Sequence, residues 1–171
     1  MTQHYDSRSR HLHWITAILV IGLWILGQTI DDFDKGWPRV SARSLHILAG
    51  VLLALVLTAR IAWRRNPRRQ VPAPLGGWQG ALARWMHGFL YVALVAVVVL
   101  GLLNTFVRGD SIFGLLKLPA ISPGNTELRH LVEDLHAWAA NTLAAAAVLH
   151  ALGALYHRLV LRDQVLARML P

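Results

Sequence analysis

The sequence predicts an all-α integral membrane protein, a four-helix bundle with both termini cytoplasmic. Three observations predict it. Hydrophobic residues make up 55% of the 171 and gather in four runs, about 13–30, 44–62, 85–107 and 132–156, each close to the ~20 residues a spanning helix needs, and the helices are expected at about 13–30, 44–62, 85–107 and 126–160. The segments flanking these runs divide by charge: the N-terminus, the Arg60-to-Arg84 connection and the C-terminal tail hold 11 Arg against Asp6 and Asp163, whereas the other two loops hold 6 Lys/Arg against 7 Asp/Glu. That asymmetry puts the Arg-rich side in the cytoplasm. Finally, the fourth run carries His136 and His150 fourteen residues apart. Fourteen helical steps separate them by about 40° and about 21 Å, so one helix face bears an imidazole near each side of the bilayer. Such groups are costly there unless partnered.

The chain is read as a single membrane domain, 1–171. Residues 1–10 are polar and expected to fray, with His4 and His11 solvated or interfacial. The first helix enters the membrane at His13-Trp14, tryptophan being usual at that depth, and leaves at Asp31. It has no small-residue cleavage pattern and is kept as a span rather than a secretion signal. Gly36-Trp37-Pro38 is a turn group expected to end any helix. The second helix is expected to begin around Ser44 as N-cap, with His46 in its first turn, and to reach Arg60. The cluster Trp63-Arg64-Arg65-Asn66-Pro67-Arg68-Arg69 then sets topology beside anionic headgroups. An irregular connection follows over 71–77. The third helix starts near Trp85, carries His87 in its first turn and ends by Arg108-Gly109-Asp110. In the next loop Phe113-Gly114-Leu115-Leu116 is expected along the interface, with Pro119, Pro123 and Gly124 breaking any long helix. The fourth helix starts at Asn125 or Thr126 and can run past the membrane to Arg162.

A sequence pI near 11.3 would suggest nucleic acid in a soluble protein; here topology accounts for the charge, and no nucleic-acid partner is expected. The absence of cysteine excludes disulfides, iron–sulfur clusters, thiolate zinc sites and covalent c-type haem.

Counting from the outer charges, His46 lies three residues inside Arg43 and His136 two inside Asp134, about 3–5 Å deep. His13 lies eighteen residues from Asp31 and His150 sixteen from Asp134, about 24–27 Å deep. Two levels result, each with a histidine pair drawn from different helices. This is what two bis-histidine haems require, since neutral imidazole supplies a lone pair without burying a charge. A single bare metal ion, with ligands about 2 Å away, cannot be shared by levels ~20 Å apart. A channel or transporter would be expected to show broken helices or midplane polar groups, of which Asn104, Asn141 and Thr142 are the few examples. Gly27 and Gly101 follow His13 and His87 by fourteen residues. They either make room for a bulky planar group or simply let helices pack closely. Arg60, fourteen after His46, either neutralises a haem propionate or snorkels to the headgroups. His157, seven after His150, is the alternative inner ligand or an interfacial histidine like His130. His87 is placed to hydrogen-bond a propionate or a quinone carbonyl, or has no functional role.

The pattern resembles the small four-helix bacterial cytochrome b561 proteins over nearly the whole chain. The residues that carry the resemblance are His13-Trp14, Leu45-His46 with Gly50, His87-x-x-Leu90-Tyr91 with Gly101-Leu102, His136 with His150 and His157, and the ending Leu166-Ala167-Arg168-Met169-Leu170-Pro171. The resemblance implies two non-covalent b-type haems in the bacterial inner membrane, His46 with His136 on the periplasmic side and His13 with His150 on the cytoplasmic side. Similar members are superoxide oxidases that pass the electron to ubiquinone. On that reading superoxide meets the outer haem, guided by Lys35, Arg39, Arg43, Lys117 or Arg129, and His87 or His157 supplies protons to the quinone. The alternative is a membrane haem subunit relaying electrons between quinone and a soluble redox partner such as a hydrogenase. Short loops without a soluble domain favour the independent enzyme. A structural or transport protein with interfacial histidines is the third reading.

Overall fold

The computed structural model describes residues 5–65 and 76–170. Its long helices are α1 (Ser7–Thr29), α2 (Trp37–Arg64), α3 (Gly77–Arg108) and α4 (Thr126–Tyr156), with a small antiparallel hairpin, β1 (Ser111–Ile112) and β2 (Leu116–Lys117), between the last two. All four helices are long and apolar enough to cross a membrane. Even α1, with 23 residues, measures about 35 Å against a hydrocarbon core of about 30 Å.

The first three helices begin six, seven and eight residues before the hydropathy runs do. Hydropathy marks where a chain enters lipid, whereas capping marks where its helix starts. Thus the N-terminus, expected to fray, is helical from Ser7: Asp6 accepts the Ser9 N–H at 3.0 Å and the Ser9 hydroxyl at 2.7 Å. Gly36-Trp37-Pro38 opens α2 instead of ending a helix. Gly36 takes φ +96°, and Pro38 occupies the first turn, where its missing N–H has no bond to lose. Ser44 is therefore no N-cap. It is fully buried inside α2, where its hydroxyl donates to the Val40 carbonyl at 2.7 Å and accepts the Phe113 N–H at 2.8 Å. The segment expected along the interface is this hairpin, pinned to α2 with Leu115 89% exposed at its turn. Gly109 closes α3 in the left-handed conformation at φ +64°, and a Cβ there would meet the Ala120 Cβ at 2.9 Å.

Asn125 caps α4 by accepting the Leu128 N–H at 2.9 Å. Beyond Tyr156 the helix widens into one π-turn, His157–Leu161, and stops at left-handed Arg162. The tail returns to α1. Trp14 Nε1 donates to the Met169 carbonyl at 2.9 Å and Arg10 to the Leu170 carbonyl at 2.6 Å. The 66–75 part of the basic connection, with Arg68 and Arg69, lies outside the described residues, as do His4 and Pro171.

Packing is closest between α1 and α2 and between α3 and α4. Leu53, Leu57, Leu94 and Leu143 form the buried centre, walled by Leu23, Leu90, Tyr91 and Val97 among others. Outward faces are just as apolar, with Ile18, Leu55, Val92 and Val148 exposed, as helices sheathed in lipid require.

Candidate functional site: two stacked histidine pairs

The bundle brings the expected histidines together in two groups. At the outer level His46 of α2 meets His136 of α4, ring centroids 6.2 Å apart and planes at 88°. At the inner level His13 of α1 meets His150 of α4 at 6.4 Å and 76°. His87 of α3 joins the inner group, 5.2 Å from His150. His157 joins neither. Its ring lies against Tyr156, and its Nδ1 is 2.6 Å from Asp163 Oδ2.

These separations discriminate among the histidines. Two imidazole nitrogens, each about 2 Å from one metal and each about 1 Å in front of its ring centre, place the centroids about 6 Å apart. The 6.2 and 6.4 Å pairs match, whereas the His87–His150 spacing is too short for an intervening iron.

Glycines orient the outer rings. A Cβ on Gly27 of α1 would stand 3.2 Å from His46 Cε1, and one on Gly101 of α3 would stand 3.0 Å from His136 Cε1. Each ligand-bearing helix thus presses its imidazole onto a glycine of its packing partner. The room made is for the histidines themselves, and on the other helix from the histidine whose stripe each glycine shares. Nδ1 of both outer rings is buried without a hydrogen-bond partner; the Val97 carbonyl lies close enough to interact with His136 but outside bonding geometry at Nδ1. Paired neutral imidazoles in an apolar interior, spaced for one metal between them, fit haem. Among the described residues no three His or carboxylate side chains converge to hold a bare ion.

Arg60 reaches the inner group, its guanidinium 3.0 Å from His13 Nδ1. Guanidinium can only donate, so Nδ1 accepts. Arg60 and Arg64 also lie over the Tyr91 ring at 5.2 and 5.4 Å, placing Tyr91, one turn after His87, at the same site.

Outside the outer pair runs an ion network. Arg108 contacts Glu133 at 2.9 Å and Asp110 at 3.5 Å, and Arg43 lies 3.9 Å from both Asp110 and Asp31. Burial pushes the Asp110 carboxyl up, with Arg108 and Arg43 pulling against it. Arg39 is bound to the loop, donating to the carbonyls of Asp31 and Phe33. Of the basic residues expected to guide an anion, Lys35, Lys117 and Arg129 are exposed, while Arg39 and Arg43 are engaged. Neither this network nor the Asp163 partner of His157 was anticipated. Asp163 follows His157 by six residues, a spacing that an α-helix places on another face, and the π-turn together with left-handed Arg162 folds it back, the Asp163 N–H donating to the His157 carbonyl at 3.1 Å.

Comparison with known proteins agrees with the geometry. The family model for prokaryotic cytochrome b561 matches residues 4–171. The chain belongs to the prokaryotic cytochrome b561 family. It is 32% identical to cytochrome b561 homolog 2 of Escherichia coli K12, over 98% of this chain and 92% of that one. To cytochrome b561 homolog 1 of the same organism it is 30% identical, over 98% and 97%. It is likewise 30% identical to the probable superoxide oxidase CybB of Yersinia pestis, over 100% and 98%. As a cytochrome b561 protein it is a multi-pass protein of the bacterial inner membrane that binds b-type haem and transfers electrons.

Proposed function

We propose that this cytochrome b561 protein holds two haems b, the outer between His46 and His136 and the inner between His13 and His150, and uses them to oxidise superoxide and reduce ubiquinone. The observation that carries the reading is the pair of centroid separations, 6.2 and 6.4 Å, at two depths of one bundle. When bound, the haem irons supply one-electron chemistry between Fe(III) and Fe(II). The name of the Yersinia relative supports superoxide as donor. Both termini face the cytoplasm, as the Arg-rich flanks require.

Two superoxide anions give two electrons and leave as two O2, while one quinone takes those electrons and two protons to become quinol. The chain's own groups serve the ends of this sequence. Lys35, Lys117 and Arg129 raise the local superoxide concentration at the outer face. At the inner face His87 and His157 are the proton donors, and His157 is the better oriented. Asp163 accepts from its Nδ1, which orients the ring, and in the imidazolium form Nε2–H is the proton given to a quinone oxygen. With haem bound, Arg60 would leave His13 and could pair with a propionate. A histidine that binds iron through Nε2 carries its proton on Nδ1, and a guanidinium cannot stay opposite that proton.

The test uses purified holoprotein in quinone-free lipid nanodiscs. Superoxide should reduce both haems and added short-tail ubiquinone should reoxidise them. Haems that stay oxidised in superoxide but are reduced by a soluble redox subunit would replace the oxidase by an electron relay. His87→Ala should keep both haems and slow quinol formation; unchanged kinetics would remove His87 from the proton path.

A further inference from the structure

The ion network outside the outer pair is in register with the histidines beneath it. Arg43 lies three residues outside His46 on α2, and Glu133 three outside His136 on α4, each about 4.5 Å further out and within about 60° of its histidine. On α3, Arg108 follows Gly101, the glycine against the His136 ring, by seven residues. That spacing returns it to within about 20° of the same face, about 10 Å further out. Two arginines therefore stand over the outer pair, one or two turns outside it. Neither is well satisfied. The Arg43 guanidinium reaches Asp31 and Asp110 only at 3.9 Å, and the buried Arg108 Nε stands 3.5 Å from Asp110 without a hydrogen bond. One oxygen, Asp110 Oδ1, serves both arginines and lies outside hydrogen-bonding geometry for each. Guanidiniums left half-satisfied where water is scarce mark a place for a further anion.

Burial narrows the anion. The Arg108 side chain is 9% exposed, so an anion arriving from solvent meets the exposed Lys35, Lys117 and Arg129 first, whereas one carried between His46 and His136 meets Arg43 and Arg108. A haem bears its two propionates on one edge. With iron between the two rings, that edge points either outward or toward the middle of the bilayer, and the cost of carboxylates in hydrocarbon selects the outward direction. The two arginines stand on that side, and a guanidinium fork matches both oxygens of a carboxylate. We infer that Arg43 and Arg108 clamp the propionate edge of the outer haem, with Asp110 holding the two guanidiniums together. The inference rests on the proposed outer haem and adds to it the groups that fix its edge and balance its charge. It gives α2 an arginine for each haem, Arg43 three residues outside His46 and Arg60 fourteen inside it. A docking site for superoxide is the competing use of the same cations, disfavoured because the Arg108 Nε is shut off from solvent.

The experiment uses holoprotein in nanodiscs, made in cells fed δ-aminolevulinic acid that carries carbon-13 at its carboxyl carbon, so that the haem propionates are labelled. Redox-difference infrared spectra then isolate the propionate bands, and those missing from His136→Ala belong to the outer haem. Arg43→Gln and Arg108→Gln should each shift the outer-haem bands and lower the midpoint potential of that haem, since loss of a nearby cation disfavours the added electron. The bands and potential of the inner haem should stay in place. Should a glutamine variant lose the outer haem, Arg43→Lys and Arg108→Lys decide: keeping the charge without the fork, they should retain the haem and still shift its bands. Loss of the haem from the lysine variants as well would mean that the network only holds the fold, and overturns the clamp. Outer-haem bands that do not move in any variant overturn it too and leave the two-haem reading standing. Unmoved bands with slower reduction by superoxide assign the arginines to the substrate anion, again overturning the clamp. A wild-type spectrum from which His136→Ala removes no labelled band contradicts the outer haem itself, and the clamp falls with it.

Discussion

At the scale of single residues, the outer site depends on what Gly27 and Gly101 lack. Gly→Ala in a helix ordinarily stabilises by about 0.5–1 kcal/mol. Here the added Cβ lands 3.2 Å from the His46 ring or 3.0 Å from the His136 ring, so the ring must turn. Gly101→Ala should lower occupancy of the outer haem by half or more, read from haem per chain, while Gly22→Ala, whose Cβ meets nothing within 4 Å, should leave it intact. Equal occupancy in both variants would remove the glycine clamp. His13→Ala should lose the inner haem alone, because the 5.2 Å spacing from His87 to His150 leaves no room for a replacement ligand. Sequence spacing predicts that both glycines lie on histidine stripes. It does not predict which ring each touches, because that depends on which helices pair.

At the scale of elements, two local devices hold the ends of the bundle. The hairpin β1–β2 is tied to α2 through Ser44. Ser44→Ala leaves the half-buried Phe113 N–H without its partner, which should cost about 1 kcal/mol and appear as a lower melting temperature with unchanged haem spectra; an unchanged melting temperature would show the bond idle. At the inner end the π-turn carries His157 to Asp163. Burial works against the Asp163 carboxylate, but the hydrogen bonds from His157 and the Val165 N–H outweigh it and hold its pKa below the usual 3.8. A carboxyl depressed by folding contributes stability above its unfolded pKa and loses it as pH falls through the folded value. The His157–Asp163 contact should therefore persist throughout the neutral and mildly acidic range. Carbon-13 titration of the Asp163 carboxyl should show a midpoint below 3.8, and one at or above it would mean the contact is not held in solution. Neither device is legible from spacing. Ser44 reads as a helix cap because hydropathy starts there, and a π-turn has no hydrophobic period of its own.

At the scale of the whole molecule, what was legible and what was not divide by range. Four apolar runs and an Arg-rich side predict the bundle because lipid imposes length and charge asymmetry on any spanning helix. Counting residues from Asp31, Arg43 and Asp134 predicts which histidines share a level, since helical rise is nearly constant. Lateral geometry is not coded in any local stretch. That Arg60 meets His13 and Arg39 the α1–α2 loop follows from how α1 pairs with α2, and that Arg43 reaches Asp110 and Asn141 faces α1 follows from how α1–α2 packs on α3–α4. The central claim is that one bundle carries two haems, each between a histidine of α1 or α2 and one of α4. The most direct measurement is haem b per chain, by pyridine haemochrome against quantitative amino-acid analysis, for wild type, His136→Ala and His150→Ala. The expected result is two haems in the wild type and one in each variant, with the electron paramagnetic resonance signal of a different low-spin haem missing in each. One haem in the wild type, or loss of the same signal in both variants, would contradict the two-level account.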